Sequence, residues 1–117
     1  MSGKLTNGNA EGTRFDADSP IGKLMRGLYN QEPLHDALKQ LGETTRALGI
    51  TTIDAAMRWA YYHSALGPND GIILGASSIT QIRSNVESIR QGPLPQECLD
   101  TFQRIWATLE PVRGDII

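Results

Sequence analysis

One short run limits what this chain can fold into. Of its 117 residues, only Ile72-Ile73-Leu74 reads as a buried β-strand, being apolar, β-branched and too short to make a helix of its own. The other segments with a hydrophobic period repeat at helical spacing. A buried strand without a neighbour leaves its N–H and C=O groups unpaired, so a lone strand must find its ladder elsewhere. The expectation is four or five helices around a single strand, α/β in class and mostly helical in isolation.

Local signals place the helices. Ser19-Pro20 sets a capping hydroxyl before a proline at the first helical position, which predicts a short helix over Pro20–Tyr29 with Leu24, Leu28 and Ile21 on one side. From Glu32 to about Leu48, the residues Leu34, Leu38, Leu41, Thr45 and Leu48 share a stripe, and Gly49 stands where a left-handed terminal residue is preferred. Thr51 and Asp54 come near to a capping box. They precede a stripe of Ile53, Ala56, Met57, Ala60 and Tyr61 that runs to about Ser64. Turn residues fill 67–71. Beyond Gly75, Ser78-x-x-Gln81 fits a capping box, and Ile79, Ile82, Val86 and Ile89 keep helical spacing until Gly92-Pro93. Pro95 opens the last helix, with Leu99, Phe102, Trp106 and Leu109 as its core face and Pro111 as its end. Residues 1–18 are rich in Gly, Asn, Thr and Asp without a period, which predicts a flexible loop.

Composition removes several classes of function. The net charge is −2 and the charges are scattered, whereas a nucleic-acid surface needs clustered basic residues. No apolar run approaches the length of a membrane span, and the first residues lack the apolar core of a signal peptide. A single cysteine excludes an internal disulfide and a cysteine-based zinc site; Cys98 is expected to be a small buried thiol. No metal site is expected from the sequence. A cytoplasmic protein fits these features. His35 has no second ligand at metal-binding spacing, and Tyr61, Tyr62 and His63 are adjacent on a helix, so they fan around it instead of converging.

The stretch GIILGASSITQIRSN, residues 71–85, is a strand, a small-residue turn and a helix N-terminus with two hydroxyls. Free amides and the helix dipole at such an end favour an anion. A well-capped strand-to-helix turn with no ligand is the alternative.

The wording of that stretch, ILGASSITQIRSNVESI followed by GPLP, resembles the last strand and last barrel helix of the aldo-keto reductases, in their aflatoxin-aldehyde-reductase-like branch. Gly3-Lys4-Leu5 resembles the segment after the family's seventh strand, Gly12 to Asp16 the loop beyond it, and Met57-Arg58-Trp59 through His63-Ser64 the seventh-helix segment. The resemblance covers essentially the whole chain and only the C-terminal third of the family's protein. It implies a single partial domain over 1–117, a C-terminal fragment of a (β/α)8 barrel, since a complete barrel needs roughly 250 residues.

What the resemblance implies about chemistry is divided. The family's catalytic Asp, Tyr, Lys and His belong to earlier strands, so no catalytic residue is expected here, and Lys4, Lys23 and Lys39 do not match the catalytic lysine's context. The cofactor is expected to be NADPH, with Ala76, Ser77 and Ser78 in the pocket for its adenosine 2′-phosphate. By the same resemblance Gln81 and Asn85 contact the adenosine end, and Gly3 and Lys4 lie beside the pyrophosphate. Gly75 and Gln81 stand where many relatives carry a basic residue, and the resemblance implies that the aflatoxin-aldehyde branch has Gly and Gln there instead. Ser84 replaces a longer polar residue, and Arg83 is two positions from the usual arginine. Two functions are therefore expected. One is an NADPH-dependent reductase of a small-molecule aldehyde or ketone, in a fungal secondary-metabolite pathway. The other is a non-catalytic product or interaction module, self-associating through apolar faces left open by a missing barrel wall.

Overall fold

The computed structural model describes Asp18 and residues 20–111; the side chains at 24–26, 28 and 29 fall outside that description. The loop expected over the first residues lies outside it except for Asp18, which sits in a turn, and so do the side chains of Leu24 and Leu28. The described residues form α1 (Pro20–Tyr29), α2 (Glu32–Ala47), α3 (Thr52–Tyr62), α4 (Ile79–Arg90) and α5 (Gln96–Leu109).

The ends of these helices follow the local chemistry. Thr51 and Asp54 make a full capping box on α3: the Asp54 amide donates to Thr51 Oγ1 at 3.0 Å, and the Thr51 amide to Asp54 Oδ2 at 3.1 Å. At the end of α2, Gly49 adopts φ +69°, and Ile50 and Gly49 donate back to the carbonyls of Thr45 and Arg46. That pairing satisfies two carbonyls that a helix end otherwise leaves open. Gly92, at φ +86°, ends α4 in a similar way by donating to Ile89.

The expected strand is corrected. Residues 71–76 are neither helix nor strand, and no described residue pairs with their amides and carbonyls. The apolar pattern of Ile72-Ile73-Leu74 calls for a ladder, and a ladder needs a second chain segment alongside it. The described residues are therefore helical, without the β component that the α/β expectation took from this run.

α2 packs on α5, α3 packs on α4, and α2 meets α3 along a smaller seam. The core is small: Ala37 and Leu41 of α2, Ala55 of α3, Leu94, and Cys98 and Ile105 of α5. Leu48, Ile50, Leu99, Phe102 and Leu109 close around it, half-buried. Trp59 and Phe102 stack between α3 and α5, with ring centroids 5.6 Å apart.

Two expected faces are rotated and a third is kept in part. On α5 the fully inward residues are Cys98, Thr101 and Ile105. The expected Leu99, Phe102 and Leu109 also pack half-buried on the core, and of that face Trp106 is half exposed. On α3 the inward residues are Ala55 and Arg58, with Ile53 and Tyr61 outward. On α4 they are Asn85 and Ser88, and Ile79 is 75% exposed. Ser88 follows Ile79 by nine positions, about 180° around a helix. Hydrogen bonds explain the rotation: the helices turn toward the polar partners available within the chain, leaving apolar stripes without a wall to pack on. α2 keeps the expected face, with Leu41 and Thr45 buried.

Candidate functional site

A polar seam fixes α4 and frees its N-terminus. Asp54, Arg58 and Tyr62 recur every four residues along one side of α3, the spacing that aligns side chains on a helix. Ser88 of α4 donates to Asp54 Oδ1, and the Tyr62 hydroxyl donates to the Ile89 carbonyl at 2.9 Å. Arg58, 7% exposed, donates from Nε to the Gly92 carbonyl at 2.7 Å and from Nη2 to the Pro93 carbonyl at 2.6 Å. The Leu94 amide donates to His63 Nε2 at 2.9 Å. All five partners lie in the C-terminal half of α4 or in its connection to α5. The sequence offered one clue to this seam, the 54–58–62 spacing, and nothing in it marks carbonyls more than thirty positions away as the partners.

The seam also sets its own protonation. Burial alone would raise the Asp54 carboxyl. Hydrogen bonds from Ser88 and from the hydroxyl and amide of Thr51, with the Arg58 charge, bring it below its ordinary 3.8. His63 is held below its ordinary 6.5 by burial and then by Arg58. Burial raises the Cys98 thiol, with Arg58 opposing, so the thiol stays protonated at neutral pH.

The His63 bond has a direct consequence for stability. Nε2 accepts from Leu94 only when unprotonated, which puts the ring proton of the neutral form on Nδ1. Because the folded value lies below the unfolded one, the unfolded chain binds more protons between them. The contribution is fully present above about pH 6.5 and is lost as pH falls from there through the lower folded value. Urea midpoints of the parent and of His63→Ala should converge on acidification, removing a difference of roughly 1 kcal/mol, the net worth of a typical hydrogen bond. A difference that stays constant from neutral to mildly acidic pH would refute the Leu94–His63 bond.

At the other end of α4, residues 75–82 are exposed. Ser78 is the N-cap, and its hydroxyl oxygen accepts from the Gln81 amide at 3.2 Å. The return half of the expected capping box is displaced by one residue: Gln81 Oε1 accepts from the Ser77 amide at 2.8 Å and the Ser77 hydroxyl at 3.2 Å. Gln81 therefore occupies donors that would face an incoming anion. The Ile79 and Thr80 amides make no hydrogen bond within the described residues. Ala76, Ser77, Ser78 and Gln81 are thus brought together at one open turn. Asn85, one turn along from Gln81, is 4% exposed and sits on the inward side of α4 with Ser88, away from that turn. Gly3 and Lys4 lie outside the described residues.

Other chemistry is not assembled. Among the described residues, no group of three His, Cys, Asp or Glu side chains is placed to hold a metal ion. Tyr62 and His63 are bound to backbone groups, and His35 Nε2 pairs with Asn30 Oδ1 at 2.8 Å. No helix among the described residues is long and apolar enough to cross a membrane.

The sequence model of the aldo/keto reductase family matches residues 1–107. The chain belongs to the aldo/keto reductase family. An aldo-keto reductase of Pseudocercospora fijiensis is 34% identical over 92% of this chain and 37% of its own length. Aldo-keto reductase pigE of Monascus ruber is 30% identical over 88% of the chain and 31% of its own length. Human aflatoxin B1 aldehyde reductase member 4 is 41% identical over 91% of the chain and 36% of its own length. The chain thus spans about a third of the length of these aldo/keto reductases, and the matches include the branch expected from its wording.

Proposed function

We propose that this chain supplies the adenosine 2′-phosphate end of the cofactor site of an NADPH-dependent reductase acting on a small aldehyde or ketone, with a cytosolic location as part of the same reading. The observation that carries it is the open turn at the head of α4, where serine hydroxyls and helix amides gather in a member of this family. The donors suit a phosphate dianion: no acidic side chain occurs between Asp70 and Glu87. Ala76, Ser77 and Ser78 would hold the phosphate, with the Ile79 and Thr80 amides donating. Gln81 must release the Ser77 amide and hydroxyl before they can donate to the ligand. Gly3 and Lys4 would lie beside the pyrophosphate, and Asn85 would need to turn out of the α3–α4 seam to reach the adenosine. The cofactor, when bound, supplies a hydride to the carbonyl. The fungal relatives support a secondary-metabolite carbonyl as the substrate class.

By itself the chain binds and does not turn over. Its clustered tyrosine and histidine are already tied to backbone groups, which supports a binding role without catalysis. Affinity is limited. A helix terminus contributes about 0.3–1 kcal/mol at an exposed site, and charge-assisted hydrogen bonds about 1.5–3 kcal/mol each before the displacement of Gln81 is counted. A millimolar dissociation constant, about −4 kcal/mol, is the expected scale.

Titrating 2′-phospho-AMP against 5′-AMP tests the reading, with backbone amide shifts of Ser77, Ser78 and Gln81 as the readout. Larger shifts with the 2′-phosphate, lost in the double variant Ser77→Ala/Ser78→Ala, are expected, with no NADPH oxidation in the presence of a model aldehyde. Equal shifts with both nucleotides would reduce Ser78 and Gln81 to a helix cap, and NADPH turnover would overturn the non-catalytic part.

A further inference from the structure

The connection from α4 to α5 runs Gly92-Pro93-Leu94-Pro95, and its two prolines carry no amide hydrogen. Leu94 therefore holds the one N–H of the Pro-Leu-Pro run, and it donates to His63 Nε2 at 2.9 Å. The two carbonyls before it, of Gly92 and Pro93, accept from Arg58. The Leu94 side chain is 6% exposed and belongs to the core. Two side chains, Arg58 of α3 and His63 at its C-terminal cap, thus hold the connection in place, and one of them is an imidazole.

Protonation turns that imidazole from a holder into a repeller. Both nitrogens of a charged ring are donors, so an Nε2–H would meet the Leu94 N–H. A buried amide that loses its acceptor costs more than the net worth of the bond, and moving out to water relieves it. Burial disfavours charge on the ring, and Arg58 opposes a second cation; the C-terminal end of α3 favours one. Arg58 acts as well on Asp54 of α3 and on the buried Cys98 thiol of α5. Carboxylates that could neutralise the ring are engaged elsewhere or exposed. Asp54 accepts from Ser88 and Thr51, Glu87 of α4 pairs with Arg90 at 2.9 Å, Asp100 of α5 accepts from Gln96 at 2.9 Å, and Glu97 is exposed. Of the other groups on these helices, Tyr62 beside the ring donates to Ile89, Arg104 donates to Thr101, and Tyr61 and Arg83 are exposed.

We propose that His63 is an acid-sensitive latch, whose protonation frees the connection at 92–94 and draws Leu94 out of the core while α2 and α5 stay packed. The opening is local because α2 and α5 are joined by contacts of their own. These include the Thr44–Thr101 hydroxyl pair at 3.1 Å and the packing of Leu41 with Cys98 and Ile105, none of which depends on the imidazole. The same proton that lowers the stability of the whole chain therefore opens this segment first.

Amide hydrogen exchange of the full chain across a pH series tests the proposal, with rates corrected for their intrinsic pH dependence and the His63 ring titrated in parallel. As pH falls through the ring's midpoint, protection at Leu94 should drop by about tenfold or more, while Leu41 and Ile105 keep theirs. Above the midpoint the ring should carry its proton on Nδ1, as an Nε2 acceptor requires. His63→Gln offers an uncharged carbonyl in place of Nε2 and should make protection at Leu94 independent of pH over the same range. His63→Leu removes the acceptor and should leave Leu94 at the acidic level throughout. The parent's own exchange and ring titration decide the matter where a variant does not fold. Loss of protection at Leu94, Leu41 and Ile105 together would make the event global unfolding and overturn the latch. So would a proton on Nε2 at neutral pH, protection at Leu94 that ignores the ring's midpoint, or a fall in His63→Gln equal to the parent's.

Discussion

Replacing Arg58 with alanine is expected to lower the stability of this chain by about 3 kcal/mol or more, among the largest losses any single polar side chain here can cause. Arg58 is buried on α3, and its guanidinium donates to two carbonyls of the α4–α5 connection, at 2.7 and 2.6 Å. Hydrogen bonds to a charged group contribute about 1.5–3 kcal/mol each, and a carbonyl left without its donor loses more than the bond's net value. A chain of this length has roughly 6–17 kcal/mol of total stability. A small apolar core puts this one toward the lower end, so the loss is a large share. Arg58→Lys keeps the charge but loses the two-pronged geometry and should fall between parent and alanine. Arg58→Met keeps much of the stem's packing and removes both donors. Urea unfolding of the three variants separates the causes. A methionine variant with the parent's midpoint would show that the carbonyl bonds hold nothing.

Arg58 also marks the border between what the sequence discloses and what it conceals. Helix ends are legible because their causes lie within a few residues. Pro20 starts α1, the Thr51–Asp54 box starts α3, and Gly49 and Gly92 end α2 and α4 at positive φ. Which side of a helix turns inward depends on partners far along the chain. Apolar spacing put Ile79 and Ile82 on the packing face of α4, but the hydrogen bond from Ser88 to Asp54 and the Tyr62–Ile89 bond turn another side toward α3. The strand expected over Ile72-Ile73-Leu74 does not form, since no described segment supplies it with a ladder partner.

The candidate site divides along the same line. Its cap, Ser78 with the Gln81 amide, is a contact over three positions and was readable from the spacing. The diversion of the Gln81 carbonyl to Ser77 was not, because both serines lie within its reach and geometry chooses between them. Asn85 was grouped with the cofactor residues through resemblance, while the packing of α4 on α3 takes it inward. The folded chain shows Ala76, Ser77, Ser78 and Gln81 standing open together at the head of α4.

Leu41→Ala should destabilise the chain by about 2–5 kcal/mol, the range for deleting a buried leucine side chain. Leu41 is 1% exposed and is the largest fully buried side chain among the described residues. It stands in α2 against the core made with Ala37, Ala55, Leu94, Cys98 and Ile105. Of the buried neighbours, two are alanines and one is a cysteine, so within the fully buried core only Leu94 and Ile105 are long enough to swing into the vacated space. That argues for the upper part of the range, because the penalty grows with the cavity that remains. Leu41→Met, which nearly conserves volume, should lose less than about 1.5 kcal/mol. The turn at Ser77 and Ser78 is held through α4 and the α3 seam, with no direct contribution from Leu41, so its amide chemical shifts should stay near the parent's for as long as the variant is folded. Urea unfolding gives the stability, and the amide spectrum of Ser77, Ser78 and Gln81 shows whether the effect is global. A loss under about 1 kcal/mol for alanine would mean that the core collapses around the gap and that the polar seam, not the α2–α5 packing, carries the fold.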